Sequence, residues 1–130
     1  MRVVIIGGSG HVGTYLVPRL VAAGHDVVVV TRGQRDPYQA HGAWAAVERH
    51  TIDRAVAEEA GTFGAQIRAL EPDAVIDLIC FTLDSARQLT DALRGAVEHF
   101  LHAGTIWVHG PSTVVPTTEA QPRTPFGDYG

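Results

Sequence analysis

The sequence contains no lysine. All ten of its basic residues are arginine, set against fourteen acids, for a formal net charge of −4. That absence excludes a Walker-type phosphate-binding lysine, a Schiff base, and lysine acid–base chemistry within these residues. Cysteine is nearly missing too. Cys80 stands alone, so no internal disulfide forms, and a reducing compartment, the cytoplasm, is the expected location. No apolar run approaches the roughly 20 residues of a membrane helix. Arg2 leads straight into a strand-like run rather than a signal peptide. No membrane partner is therefore expected. A mildly acidic chain without a basic cluster is not expected to bind nucleic acid either. Seven histidines are present. His99 and His102 read as favourable placements near a helix end, and no cysteine or acid completes a recognisable ligand set, so no metal is expected.

Of the 130 residues, 45% are apolar and 18% charged, which is the balance of one globular domain rather than a disordered chain. Strand and helix patterns alternate along it. Val3–Ile6 is a β-branched run ended by Gly7-Gly8. Val12, Leu16, Leu20 and Val21 repeat at helical spacing from about His11 to Ala23, with Pro18 inside and Gly24 closing the helix. Val27–Val30 is a second buried strand, and 34–46 reads as loop with a helical turn near Trp44. Val47–Ile52 is a third strand. Phe63, Ile67 and Leu70 mark a helix ending before Pro72, and Ala74–Ile79 is a fourth strand. The spacing predicts a helix over 84–100, a fifth strand at Thr105–Val108, and loop from His109 to Gly130. Trp44 and Trp107 read as core or groove-lining residues, and Cys80 as packing.

Such alternation builds right-handed βαβ units around a parallel sheet with helices on both faces. The expected architecture is α/β, a three-layer Rossmann-type parallel sheet in the order 3-2-1-4-5, with its ligand crevice at the carboxyl ends of strands 1 and 4.

The turn Gly7-Gly8-Ser9-Gly10-His11-Val12-Gly13 sits directly after an apolar strand and directly before a helix. Gly7 allows the sharp turn, Gly10 lets backbone approach a pyrophosphate, and Gly13 lets helix pack on sheet. The helix start then offers free N–H groups and a positive dipole end to an anion. A tight turn with no ligand is the bland alternative. Residues after the second strand select the nucleotide. An acid there suits NAD, whereas this chain has Thr31-Arg32 with Arg35 nearby. Arginine pairs well with a 2′-phosphate, so NADP is favoured over NAD, unless Arg32 is only a solvated loop residue.

At these residues the chain resembles an extended short-chain dehydrogenase/reductase of the NAD(P)-dependent epimerase/dehydratase family. Gly7, Gly10 and Gly13 match the glycines of the family turn Thr-Gly-x-x-Gly-x-x-Gly, with Ile6 in place of Thr. The resemblance implies that Gly8, Ser9, His11 and Val12 also border the cofactor, with the His11 ring packing over it. It puts Asp53 on the adenine amino group, although an Asp there also serves as a helix N-cap. It runs Leu78-Ile79-Cys80 past the cofactor, where the family usually has Ala and Gly.

The tail, Thr118-Glu119, Pro122, Pro125 and Tyr129-Gly130, is similar to the family's active-site segment. The domain then spans 1–130, with 109–130 as active-site loop. The resemblance makes Tyr129 the proton donor or acceptor of a Tyr-x-x-x-Lys pair whose Lys would fall beyond Gly130. The position of the family's catalytic Ser/Thr falls on Pro111, which has no hydroxyl, so Ser112 is the candidate, with Thr113 behind it.

What this implies is the cofactor-binding portion of an oxidoreductase. It lacks the later strands and the substrate domain, and its parent acts on hydroxyl or keto groups of nucleotide-sugar-like small molecules. Family members are typically more than twice as long. These 130 residues are expected to bind cofactor without turnover. The alternative is a non-catalytic Rossmann module that senses NADP or acts in assembly. The edge of the fifth strand, without a sixth beside it, is expected to pair with a second copy as a homo-oligomer or to be covered by the tail.

Overall fold

The computed structural model describes residues 1–111 and 115–124. Five parallel strands form one sheet: β1 (Arg2–Ile6), β2 (Asp26–Thr31), β3 (Glu48–Thr51), β4 (Ala74–Asp77) and β5 (His99–His102). Their order is β3-β2-β1-β4-β5, as the alternation of patterns requires. Four α-helices connect them: α1 (His11–Ala22), α2 (Arg54–Glu59), α3 (Phe63–Arg68) and α4 (Leu83–Leu93). Single 3-10 turns occupy Gly42–Ala46 and Ile106–His109. Among the described residues, no helix is long and apolar enough to cross a membrane.

The central strands are apolar on both faces because both faces are covered. Val4, Ile6, Val28, Val30 and Val75 meet Ala57, Phe63, Ile67, Leu89 and Leu93 of α2, α3 and α4. Val3, Ile5, Val27, Val29 and Ala74 meet Val17 of α1 and Trp44 of the first 3-10 turn. Three layers follow directly from period-two alternation along strands that present valine and isoleucine to either side. Helix α1 runs through Pro18. Lacking an N–H, that residue cannot donate to the Thr14 carbonyl.

Two expectations from the sequence are corrected. The helix anticipated over 84–100 ends at Leu93, and the fifth strand lies at His99–His102 instead of Thr105–Val108. Leu89, Leu93, Val97 and Phe100 continue a helical spacing through the break, which masks the strand. Gly95 stops the helix with φ +69°, and Ala96 N donates to the Leu93 carbonyl at 2.9 Å. The chain then rejoins the sheet where Glu98 N donates to the Asp73 carbonyl at 2.8 Å. Residues Ile106–His109 form one 3-10 turn, its start capped by Thr105 Oγ1 accepting from Trp107 N at 3.2 Å. His99 and His102 therefore lie on a strand, not at a helix end. Trp44 is core, whereas Trp107 is 58% exposed. The segment between β3 and β4 also divides differently, with α2 preceding α3 and Gly61 at φ +67° separating them.

Candidate functional site

The turn after β1 is shaped by what its glycines lack. Gly7 has φ +83°, and a Cβ there would stand 2.7 Å from Ile79 Cγ2. A Cβ on Gly13 would stand 2.1 Å from the Gly8 carbonyl oxygen, so only glycine lets α1 seat this closely on the turn. Gly7 N donates to Val30 O at 2.9 Å and Gly10 N to Gly7 O at 3.0 Å, which folds the bend back against β2. Gly10 is the N-cap of α1 and brings no side chain to bond the first-turn amides. Those amides and the dipole end of a 12-residue helix are available to an anion.

Beside this turn lies an open cleft of about 510 Å³ at the carboxyl ends of the strands. Gly7, Ser9 and Gly10 form one wall; Thr31, Arg32, Gln34 and Arg35 form another; Ile52, Asp53, Arg54 and Glu58 form a third. Ile79, Phe81, Thr82 and Ser85 close the fourth side. Among the described residues no ion pair holds Arg32 or Arg35, so both guanidinium groups keep their donors for whatever enters.

Of the residues singled out in the sequence, Gly7, Ser9, Gly10, Thr31, Arg32, Asp53 and Ile79 line this cleft. Gly8 instead packs towards Val29, and Leu78 joins the core on the α1 face. His11, Val12, Gly13 and Cys80 do not line it. The His11 ring stands edge-on to Tyr15 and Tyr38, with centroids 6.0 and 5.7 Å away. Ser112 and Tyr129 lie outside the described residues.

Asp53 caps α2 and also lines the cleft. Its Oδ1 accepts from Ala55 N at 3.0 Å and Val56 N at 3.3 Å, capping α2. Both bonds fall on one oxygen, and the residue stands on the cleft wall, so Oδ2 keeps its acceptor capacity.

Sequence reasoning passed over the group next to it. Arg54, 8% exposed, donates from Nη1 to both oxygens of the fully buried Asp77 at 2.9 Å, and from Nε to Glu58 Oε1 at 2.6 Å. Ser85 Oγ donates to Glu58 Oε2 at 2.5 Å, tying α4 to α2. The guanidinium carbon lies 5.0 Å over the Phe63 ring. Burial pulls the Arg54 pKa down, but the Glu58 hydrogen bond and the Asp77 charge outweigh it, and the net shift is upward. Arg54 therefore remains charged. The signal available beforehand was Arg54 four residues before Glu58, the spacing of a helical ion pair.

Three residues past Asp77, with its Sγ within 4.8 Å of the Asp77 carboxylate, sits Cys80. Burial pushes its thiol pKa up, against the opposing pull of Arg54. Its Sγ donates to the Thr82 carbonyl at 3.7 Å. It is thus held protonated, not poised as a nucleophile.

The chain is 35% identical over its full length to 2′-dehydrokanamycin reductase of Streptomyces kanamyceticus, covering 35% of that protein. It is 28% identical to UDP-glucose 4-epimerase of Corynebacterium glutamicum, again over its full length and over 43% of the relative. It thus spans less than half the length of these curated relatives. Among solved structures, the Bordetella bronchiseptica enzyme WbmG in complex with NAD and UDP superposes with a TM-score of 0.73 at 19% identity, over 97% of this chain and 44% of that one, a likeness of fold. The model of the NAD dependent epimerase/dehydratase family matches residues 3–130, and with glycine turn, sheet order and cleft all lying inside that match, the chain belongs to this family.

Proposed function

We propose that the chain is the dinucleotide-binding portion of an oxidoreductase, one NAD(P)-binding domain over 1–130 with 109–130 as its active-site segment. The observation that carries this reading is the cleft at the bare N-terminus of α1, bordered by Arg32 and Arg35. The diphosphate lies against the amides of Gly7–Gly13, where aligned N–H groups favour negative charge. Asp53 Oδ2 accepts from the adenine amino group while Oδ1 keeps its capping bonds. Arg32 meets a 2′-phosphate as a charge-assisted pair, which makes NADP the preferred cofactor and NAD the weaker one. The family match and the NAD held by the Bordetella enzyme support the cofactor class.

When bound, the nicotinamide supplies hydride exchange with a carbinol or keto carbon. In the complete protein Tyr129 holds or gives the proton on the reacting oxygen and Ser112 orients that oxygen by hydrogen bonding. The substrate class is a small molecule with a sugar-like hydroxyl or keto group, in line with what the reductase and epimerase relatives are named for. These 130 residues span 35% of the reductase relative and 43% of the epimerase relative, and by themselves they bind cofactor and do not turn over. The protein works in the cytoplasm, with a second copy of itself as partner.

Fluorescence titration tests the cofactor reading. NADPH is expected to bind at least tenfold tighter than NADH, and Arg32→Ala to remove that preference. Equal and negligible binding of both nucleotides overturns the proposal. Reduction of a keto sugar nucleotide by the 130-residue chain would overturn its inactivity.

A further inference from the structure

We propose that Asp77, Cys80 and His102 form a zinc-binding site of three protein ligands with an open fourth position. The site stands apart from the nucleotide reading and does not depend on it.

Fold geometry brings the three together. Asp77 and His102 are register partners on β4 and β5, so their side chains leave the sheet on the same face. Phe100, two residues before His102, packs on that same face against the core under α2–α4, and the two rings stand 6.4 Å apart. Ala103 N donates to the Asp77 carbonyl at 2.9 Å, which fixes the last rung of the ladder beside the site. Cys80 returns to this point from the loop three residues past Asp77. One ligand atom from each of the three residues lies within 4.8 Å of the other two. Tetrahedral zinc with bonds of 2.0–2.3 Å separates its ligands by about 3.3–3.8 Å, so side-chain movements of about 1 Å close the site. Asp77 is buried, Cys80 half-buried and His102 exposed, which gives the ion an entry path from solvent.

The chemistry of the set selects the ion. Thiolate, imidazole and carboxylate together suit zinc, whereas magnesium and calcium take oxygen ligands. Asp77 has a place left for a cation. Its Oδ1 accepts from Arg54 Nη1 and from Ile79 N at 3.2 Å, while Oδ2 accepts from Arg54 alone and keeps a lone pair. Arg54 then acts from outside the coordination sphere, holding the carboxylate in orientation as such partners do. Charge also favours occupancy. One guanidinium faces two carboxylates, the buried Asp77 and the half-buried Glu58, a formal excess of one negative charge. A zinc ion with the Cys80 thiolate adds one net positive charge and brings the group to neutrality. On binding, the Cys80 S–H bond breaks, the S–Zn bond forms, and the proton passes to solvent. The bound ion pins the loop after β4, which carries Ile79, Phe81 and Thr82 on the cleft wall, against β5.

Cobalt(II) titration of the 130-residue chain tests this, with zinc as competitor. One equivalent is expected to give intense visible bands of a near-tetrahedral ion and a near-ultraviolet thiolate-to-cobalt band, both erased by zinc. Cys80→Ser is expected to remove the thiolate band and weaken binding at least tenfold, and His102→Ala to weaken it at least tenfold. His99→Ala, on the opposite face of the same strand, is expected to change neither. Circular dichroism establishes that each variant is folded. Asp77 is left intact, because its loss would strand the Arg54 charge. A cobalt complex without the thiolate band, or equal affinity in the native chain, Cys80→Ser and His102→Ala, overturns the site.

Discussion

Gly13 and Gly24 look alike in the sequence, each at one end of α1, and they differ in what surrounds them. Gly24 has φ +83° with nothing within 4 Å of an added Cβ. Its substitution meets only the cost of a left-handed backbone, about 1 kcal/mol. Gly13 is helical, and an added Cβ would meet the Gly8 carbonyl oxygen at 2.1 Å, a backbone atom that cannot rotate away. Gly13→Ala is expected to lower unfolding free energy by about 1–3 kcal/mol, as overpacking does, and to displace the turn that borders the cleft. Gly24→Ala is expected to leave nucleotide binding unchanged. Urea unfolding with NADPH titration checks both, and equal effects of the two substitutions would refute the distinction. The glycine turn was legible because its chemistry is local, seven consecutive residues between a strand and a helix. The Arg54–Asp77 pair was not, because its members lie 23 positions apart and meet only once β4 is placed under α2.

Among the elements, α2 shows how one residue serves both scaffold and site. Its N-terminus depends on Asp53, and the helix spans only six residues, too short to persist without a cap and tertiary contacts. Asp53→Ser keeps a side-chain oxygen for the amides of Ala55 and Val56 but removes the second oxygen of this cleft-lining residue. Asp53→Ala removes both. Denaturation is expected to show a loss of about 1 kcal/mol for Asp53→Ala and almost none for Asp53→Ser. Nucleotide titration is expected to show weaker binding for both variants. Undiminished affinity in Asp53→Ser would restrict the residue to capping. The same scale explains where element boundaries were misread. Strands β1, β2 and β4 announce themselves because they are buried on both faces and read as unbroken apolar runs. Strand β5 carries histidine at both ends and only Phe100 partly buried, so its pattern was absorbed into the helical spacing of α4. Helix α2 escaped notice because only Arg54 and Ala57 of its residues are buried.

At the scale of the whole molecule, the sheet is well covered on its faces and unevenly finished at its two ends. On the β3 side the edge strand is itself charged and polar, Glu48-Arg49-His50-Thr51, with Glu48 paired to Arg2 at 2.7 Å, a margin that discourages further pairing. On the β5 side an apolar residue stands exposed between the two terminal histidines of the strand. Leu101 is 51% exposed, and Ile106, four residues after the strand ends, is 66% exposed. Among the described residues, strand β5 has a neighbour on one side only, which leaves its outer backbone groups available to another strand. Two copies related by a two-fold axis would set β5 against its counterpart antiparallel, pairing those groups and burying both leucines. Light scattering after size exclusion is expected to show a mass that rises towards the dimer with concentration. Leu101→Lys, which places charge at the middle of that edge, is expected to hold the chain as a monomer with its fold intact. A native chain that stays monomeric at every concentration would mean that β5 is covered within the same molecule, by the segment that follows it.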